Sequence, residues 1–172
     1  SFAMIRILIF ILAIFPVTVF AKPFLFSKPN ISFNPSVKLN MTVDRYLAYP
    51  GDHFKLYLSV QIEEGWHIYS LQPMDGNELL ATQIMLEDNS FESQKHWQES
   101  PIHLIQDEAQ EKLVKGHVLT AEFYNSFRVP INLTSGNHSI KGKLLYKACN
   151  NSLCTLPQSL SFASHIHVSI SK

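Results

Sequence analysis

Apolar and polar residues alternate strictly along several stretches of this chain. Val37, Leu39, Met41 and Val43 alternate with polar neighbours, and Phe54, Leu56, Leu58, Val60 and Ile62 do the same. The pattern returns at Phe127, Val129, Ile131 and Leu133, and again at Leu160, Phe162, Ser164, Ile166, Val168 and Ile170. A period of two puts successive side chains on opposite faces, as in a half-buried antiparallel strand. Turn-forming clusters separate the runs: Pro50-Gly51-Asp52, Glu64-Gly65, Asp75-Gly76-Asn77 and Ser135-Gly136-Asn137. Many short strands with turns between them, and no long helical period, predict an all-β fold built as an antiparallel β-sandwich. The charged stretch QDEAQEKLVK, 106–115, fits either a helical turn or a mobile loop.

The N-terminus departs from this pattern. Arg6 follows Met4, an unbroken apolar run covers 7–15, Pro16 breaks it, and Val19-Phe20-Ala21 precedes a plausible cleavage point. This is the plan of a secretory signal peptide over 1–21, with Ser1-Phe2-Ala3 outside the natural protein. The apolar run is short for a membrane span, which needs about 20 residues; a retained anchor is the competing reading. Residues 22–36 carry three prolines and no period, and are expected to form an extended arm before a domain at 37–172. At 172 residues the chain is long enough for one domain with a real core. Lys plus Arg and Asp plus Glu are both 14, so the chain lacks the basic excess of a nucleic-acid binder. Sequons at Asn30, Asn40, Asn132, Asn137 and Asn150 would suggest glycosylation in a eukaryotic secreted protein; chance in an Asn- and Ser-rich chain explains them equally.

Export changes the meaning of the two cysteines, Cys149 and Cys154, which close the short loop CNNSLC. As a structural staple, a disulfide over so short a loop would contribute only about 2 kcal/mol through chain entropy. As a metal site, two thiolates supply half of a tetrahedral set. Eight histidines are available, but none has a compact Cys/His spacing, so no metal is expected. As a redox pair, the reading follows from parity: Ile140, Gly142, Leu144, Tyr146 and Ala148 form an inner face. Cys149 then points outward at a strand end, with lysines nearby to favour the reactive thiolate. Parity cannot be carried through the loop to Cys154.

Tyr146-X-X-Cys149 followed by Cys154-X-X-Pro157, together with GWHIYS (65–70) and YNSFRVPINL (124–133), resembles the N-terminal periplasmic domain of the thiol:disulfide interchange protein DsbD, over about residues 37–170. The resemblance implies an immunoglobulin-like β-sandwich with Cys149 and Cys154 as its redox-active pair. It implies Cys154 as the partner-facing sulfur and Cys149 as the resolving one, with His67 and Tyr69 beside them. Family members also carry an aromatic-tipped, acid-flanked cap loop over the disulfide. Counting back from Val129-Pro130 favours Phe123 or Tyr124 as that shield, while the charged stretch offers Asp107 and Glu108 without an aromatic. Two positions depart from the family pattern. His67 stands where another tyrosine is expected, and Thr155 replaces an aromatic after the second cysteine. The family's membrane electron-transfer and thioredoxin-like domains are absent, so the expectation is a fragment or a free-standing homologue.

The resemblance thus implies a periplasmic thiol:disulfide oxidoreductase that needs no cofactor. Its electron donor would be a thioredoxin-like domain or membrane thiol reductase. Its acceptor would be a periplasmic disulfide isomerase or a cytochrome c maturation thioredoxin-like protein. The rival reading is an exported immunoglobulin-like binding or assembly module with an inert disulfide, because a fold alone does not set function.

Overall fold

The computed structural model describes residues 34–171. The expected signal peptide, and all but the last residues of the expected arm, lie outside them. Where the described chain begins, the Ser36 amide donates to a Glu63 carboxylate oxygen at 2.6 Å and the Glu63 amide donates to the Ser36 carbonyl, leading into the first strand.

The strands in chain order are β1 (Val37–Val43), β2 (Leu47–Ala48), β3 (His53–Ile62), β4 (His67–Tyr69), β5 (Gln83–Leu86), β6 (Glu92–Ser93), β7 (Gln98–Glu99), β8 (His103–Asp107), β9 (Lys112–Val118), β10 (Thr120–Arg128), β11 (Gly136–Tyr146), β12 (Ala148–Cys149) and β13 (Gln158–Val168). One 3-10 turn, Glu78–Leu80, is the sole helical element among the described residues. The fold is an immunoglobulin-like antiparallel β-sandwich. One sheet runs β1-β3-β10-β6, with β7 also on β10, and a second runs β2-β13-β11-β5. A smaller sheet, β12-β4-β9-β8, carries the candidate site.

Alternation explains the two main sheets. Along β3, Phe54, Leu56, Leu58, Val60 and Ile62 are buried. They meet Ala121, Phe123 and Phe127 of β10 and, across the core, Ile140 and Leu144 of β11 and Phe162, Ile166 and Val168 of β13. Apart from Ala121, each such side chain contributes about 1.5–3 kcal/mol by leaving water. Phe54 stacks on Phe127 at 5.5 Å and takes the edge of Phe91 at 4.9 Å, arrangements that suit the ring quadrupoles.

Three expectations are corrected here. The run 127–133 is not a strand: β10 ends at Arg128, Pro130 has no amide to donate to a ladder, and Ile131 is exposed. The strand lies upstream, where the buried polar Asn125 interrupts the hydrophobic alternation. Stretch 106–115 is neither helix nor loose loop but the tip and flanks of the β8–β9 hairpin, with Glu111 at φ 53 in the turn. The last strand stops at Val168, leaving Ile170 exposed.

Two points hand strands from the main sheets to the small one. Leu119, at φ 63, separates β9 from β10, and its carbonyl accepts the Ile62 amide at 2.8 Å. A leucine held there is strained, a cost of about 1–3 kcal/mol that the flanking strands must offset. Lys147 likewise separates β11 from β12, after which Ala148 and Cys149 are both buried and pair with Ile68 and His67. The outward parity expected for Cys149 therefore fails, because the chain changes sheets at Lys147, two residues before the parity count reaches it.

Candidate functional site

The small sheet brings together segments that are distant in sequence. β4 lies between β12 and β9, with Tyr69 opposite Gly116. A Cβ at Gly116 would sit 2.4 Å from the Ile68 carbonyl oxygen, so only glycine lets β9 approach β4 this closely. The hairpin β8–β9 then delivers Asp107 and Gln110 to the cysteines.

The cysteine loop is built by Asn150. Its side-chain oxygen accepts from the amides of Ser152 and Leu153 at 2.8 and 2.9 Å, and its own amide donates to the Leu153 carbonyl at 3.0 Å. Beyond the loop, Thr155 clasps Ala148. Its amide donates to the Ala148 carbonyl at 2.8 Å, and its hydroxyl oxygen accepts the Ala148 amide at 3.1 Å. Thr155 thus works as a hairpin clasp where the family pattern has a ring. Cys149 and Cys154 form the disulfide with Cα atoms 4.0 Å apart.

The two sulfurs differ in surroundings. Cys149 is fully buried and packs with Tyr69, Leu80 and Val114, while Cys154 is half-buried. The Tyr69 hydroxyl lies 2.7 Å from Cys149 Sγ and 3.9 Å from Cys154 Sγ. The same hydroxyl donates to Asp107 Oδ2 at 2.5 Å. Asp107 Oδ2 also meets His67 Nε2 at 3.1 Å, and Oδ1 accepts the Gln110 amide at 3.0 Å. His67 stands edge-on to Tyr69 with ring centres 5.4 Å apart. A chain of polar groups therefore runs from the buried sulfur through Tyr69 and Asp107 to His67. Burial pushes the Tyr69 hydroxyl far above its usual range, and the Asp107 hydrogen bond and charge push it further. It stays protonated, able to donate to whichever neighbour is anionic.

Over the other sulfur, Gln110 Nε2 donates to Cys154 Sγ at 3.3 Å. The charged stretch is therefore what covers the disulfide, through an amide rather than a ring. His67, Asp107 and Cys149 present ligand-type atoms within 4.8 Å of one another. Tyr69 already hydrogen-bonds two of the three, and Cys149 is held in the disulfide, so these donors serve the hydrogen-bond chain.

A second buried network lies behind the first. Glu99 accepts the Ser70 hydroxyl at 2.5 Å and the Leu71 amide at 3.1 Å, and pairs with His117 Nε2 at 2.8 Å. Burial alone would raise the Glu99 carboxyl, but hydrogen bonds from His117, Ser70 and Leu71 outweigh it and hold the group below its usual range. This network ties β7 of a main sheet to the residue after Tyr69.

Of the residues expected at the site, Cys149, Cys154, His67 and Tyr69 come together. Phe123 does not: it is fully buried in the main core, edge-on to His117 at 5.6 Å. Tyr124 points to the opposite face of β10, beside Tyr57 at 6.0 Å. Neither shields the disulfide, because the alternation of β10 commits Phe123 to the sandwich interior. Tyr146 is buried at the end of β11 and lines a cavity beside Pro157. The expected lysine neighbours are replaced by Tyr69 and Gln110, with Asp107 behind; Lys147 lines that same cavity. Gln110 and Leu80 went unnoticed in the sequence. Gln110 lies inside the noted charged stretch, but no local signal aims its amide at a sulfur.

A family model described as "Thiol:disulfide interchange protein DsbD, N-terminal" matches residues 38–165. No curated protein matches the chain. Among solved structures, the chain is similar to the N-terminal periplasmic domain of ScsB from Proteus mirabilis, at 16% identity and TM-score 0.51, covering 76% of this chain and 46% of that one. The chain thus spans under half the length of that relative. It also aligns with the reduced N-terminal domain of DsbD from Neisseria meningitidis, at 12% identity and TM-score 0.36, covering 75% and 90% of the two chains. Among the described residues, no helix is long and apolar enough to cross a membrane.

Proposed function

This chain belongs to the DsbD N-terminal domain family, and on that premise we propose that it relays electrons through Cys149 and Cys154 between thioredoxin-like proteins of the periplasm. The observation that carries the reading is the asymmetry of the disulfide. One sulfur is buried against a hydroxyl donor, and the other is half-buried under a single amide.

That asymmetry supports the following order of steps. A thiolate of a reduced partner attacks Cys154 Sγ, the S–S bond breaks, and its electron pair leaves on Cys149 Sγ. Cys149 is fully buried, so the Tyr69 hydroxyl, 2.7 Å away, stabilises the departing thiolate, with Asp107 and His67 hydrogen-bonded in series behind it. The partner's second thiol then attacks its own sulfur in the mixed disulfide and releases Cys154 as a thiolate. The partner is oxidised by two electrons, and this chain holds them as a dithiol. In the second half-cycle the Cys154 thiolate attacks an oxidised client and Cys149 resolves the mixed disulfide. The donor would be a thioredoxin-like domain or membrane thiol reductase. The client would be a periplasmic disulfide isomerase or a thioredoxin-like protein of cytochrome c maturation.

The test is equilibration of the purified protein with a thiol/disulfide buffer, joined to trapping with single-cysteine variants. A potential above about −300 mV is expected, since inert structural disulfides lie below that. Cys149→Ala should accumulate a stable mixed disulfide through Cys154, and Cys154→Ala should not. A potential below that line, with no adduct on either variant, would overturn the relay in favour of an inert disulfide.

A further inference from the structure

The 3-10 turn Glu78–Leu80 faces two ways. Leu80 is buried against Tyr69 and Cys149, whereas its neighbour Leu79 is 90% exposed. Two positions after Cys154, Leu156 is 81% exposed. These are the two most exposed large hydrophobic residues among those described. Beside the turn lies a cavity of about 160 Å³, walled by Leu79, Ala81, Leu145, Tyr146 and Pro157, with Gln83 and Lys147 supplying its polar part. Small-molecule pockets run to about 300–1,000 Å³, so this one is scaled for a single side chain.

Position gives the cavity its meaning. Exchange at Cys154 requires the incoming sulfur to line up with the S–S bond on the side away from Cys149. Cys149 packs beneath Leu80, which leaves Cys154 as the sulfur to approach; Leu156 and Pro157 follow it by two and three positions, and Pro157 shares the cavity wall with Leu79. Single exposed leucines are ordinary on a surface. Two of them, one in the wall of a mostly apolar cavity and the other next to Pro157 of that wall and two positions after Cys154, are not, because contiguous apolar surface marks contact sites.

We infer that Leu79, Leu156 and the cavity beside Pro157 form the docking surface for a thioredoxin-like dithiol protein, which inserts an apolar side chain from the segment flanking its own reactive cysteine. This rests on the relay reading and adds to it where the partner is held. The contact is small and apolar, as suits a redox encounter at the low end of interface sizes, below about 1,200 Å². Its work is to hold the two sulfurs in register long enough to exchange.

The experiment compares two reductants, reduced thioredoxin and dithiothreitol, acting on oxidised wild type, Leu79→Glu, Leu156→Glu, Leu79→Met and the control Ile131→Glu. Ile131 is also exposed but lies in the loop after β10. The expected result is that Leu79→Glu and Leu156→Glu each slow thioredoxin at least tenfold, equivalent to about 1.4 kcal/mol. The dithiothreitol rate and melting temperature should hold, and Leu79→Met and Ile131→Glu should behave as wild type. Unchanged thioredoxin rates in both glutamate variants, or an equal fall with dithiothreitol, would overturn the docking surface while leaving the relay standing. A wild-type disulfide inert to thioredoxin would overturn the relay and this surface together.

Discussion

Replacing Asp107 by asparagine isolates the charge behind Cys149. The carboxylate accepts from Tyr69 and Gln110 and meets His67, and its ligand oxygen lies within 4.8 Å of Cys149 Sγ. In the dithiol form, ionising Cys149 would set a second negative charge beside it. At that separation and an effective dielectric of about 20, the repulsion is about 3.5 kcal/mol. Since about 1.4 kcal/mol is a factor of ten, this opposes the thiolate by about two and a half orders of magnitude. Asparagine keeps the shape and an acceptor for the Gln110 amide, removes the charge, and frees the Tyr69 hydroxyl to donate to sulfur. The expected outcome is at least a tenfold gain in Cys149 thiolate at a given pH. Ultraviolet thiolate absorbance of the reduced protein, followed across pH, measures it. Tyr69→Phe is the counterpart: it deletes the donor and keeps the charge, so it should reduce the thiolate. An unchanged or higher thiol pKa in Asp107→Asn would refute the reasoning.

Gln110→Ala should speed reduction by dithiothreitol severalfold with little change in melting temperature, since it uncovers Cys154 without opening the core; an unaltered rate would show that the amide does not limit access. Phe123→Ala should cost about 3–5 kcal/mol in chemical unfolding, as a core ring does, and a neutral result would contradict its burial. Glu99 gives a pH signature. Its folded-state pKa lies below the ordinary value, so its contribution to stability is present above about 4.5 and is lost as pH falls through the depressed folded value. Glu99→Gln should therefore flatten the acid limb of a melting-temperature profile, and an acid limb as steep as wild type's would count against the His117–Ser70–Leu71 network as its source.

Much of the sandwich was legible in the sequence because strand burial has a local code. The alternations beginning at Val37 and Phe54 coincide with β1 and β3, since a period of two needs no knowledge of the partner strand. The code failed at Asn125, a buried polar residue whose side chain donates to Ser93 on a neighbouring strand, and that partner is invisible in the local pattern. For the site, the cysteine motif and the Trp66–Tyr69 stretch were enough to nominate Cys149, Cys154, His67 and Tyr69. What only the tertiary structure decided is how the sulfurs are surrounded. Cys149 is buried because the chain changes sheets at Lys147. Asp107 and Gln110 reach the disulfide because a hairpin distant in sequence folds over it: Asp107 is 38 positions from Tyr69, and Gln110 is 44 positions from Cys154. Phe123 cannot shield it because sheet pairing turns that ring inward. Residue type and local period specify which face of a strand is apolar; which sulfur a partner can reach depends on which distant strands pack beside it.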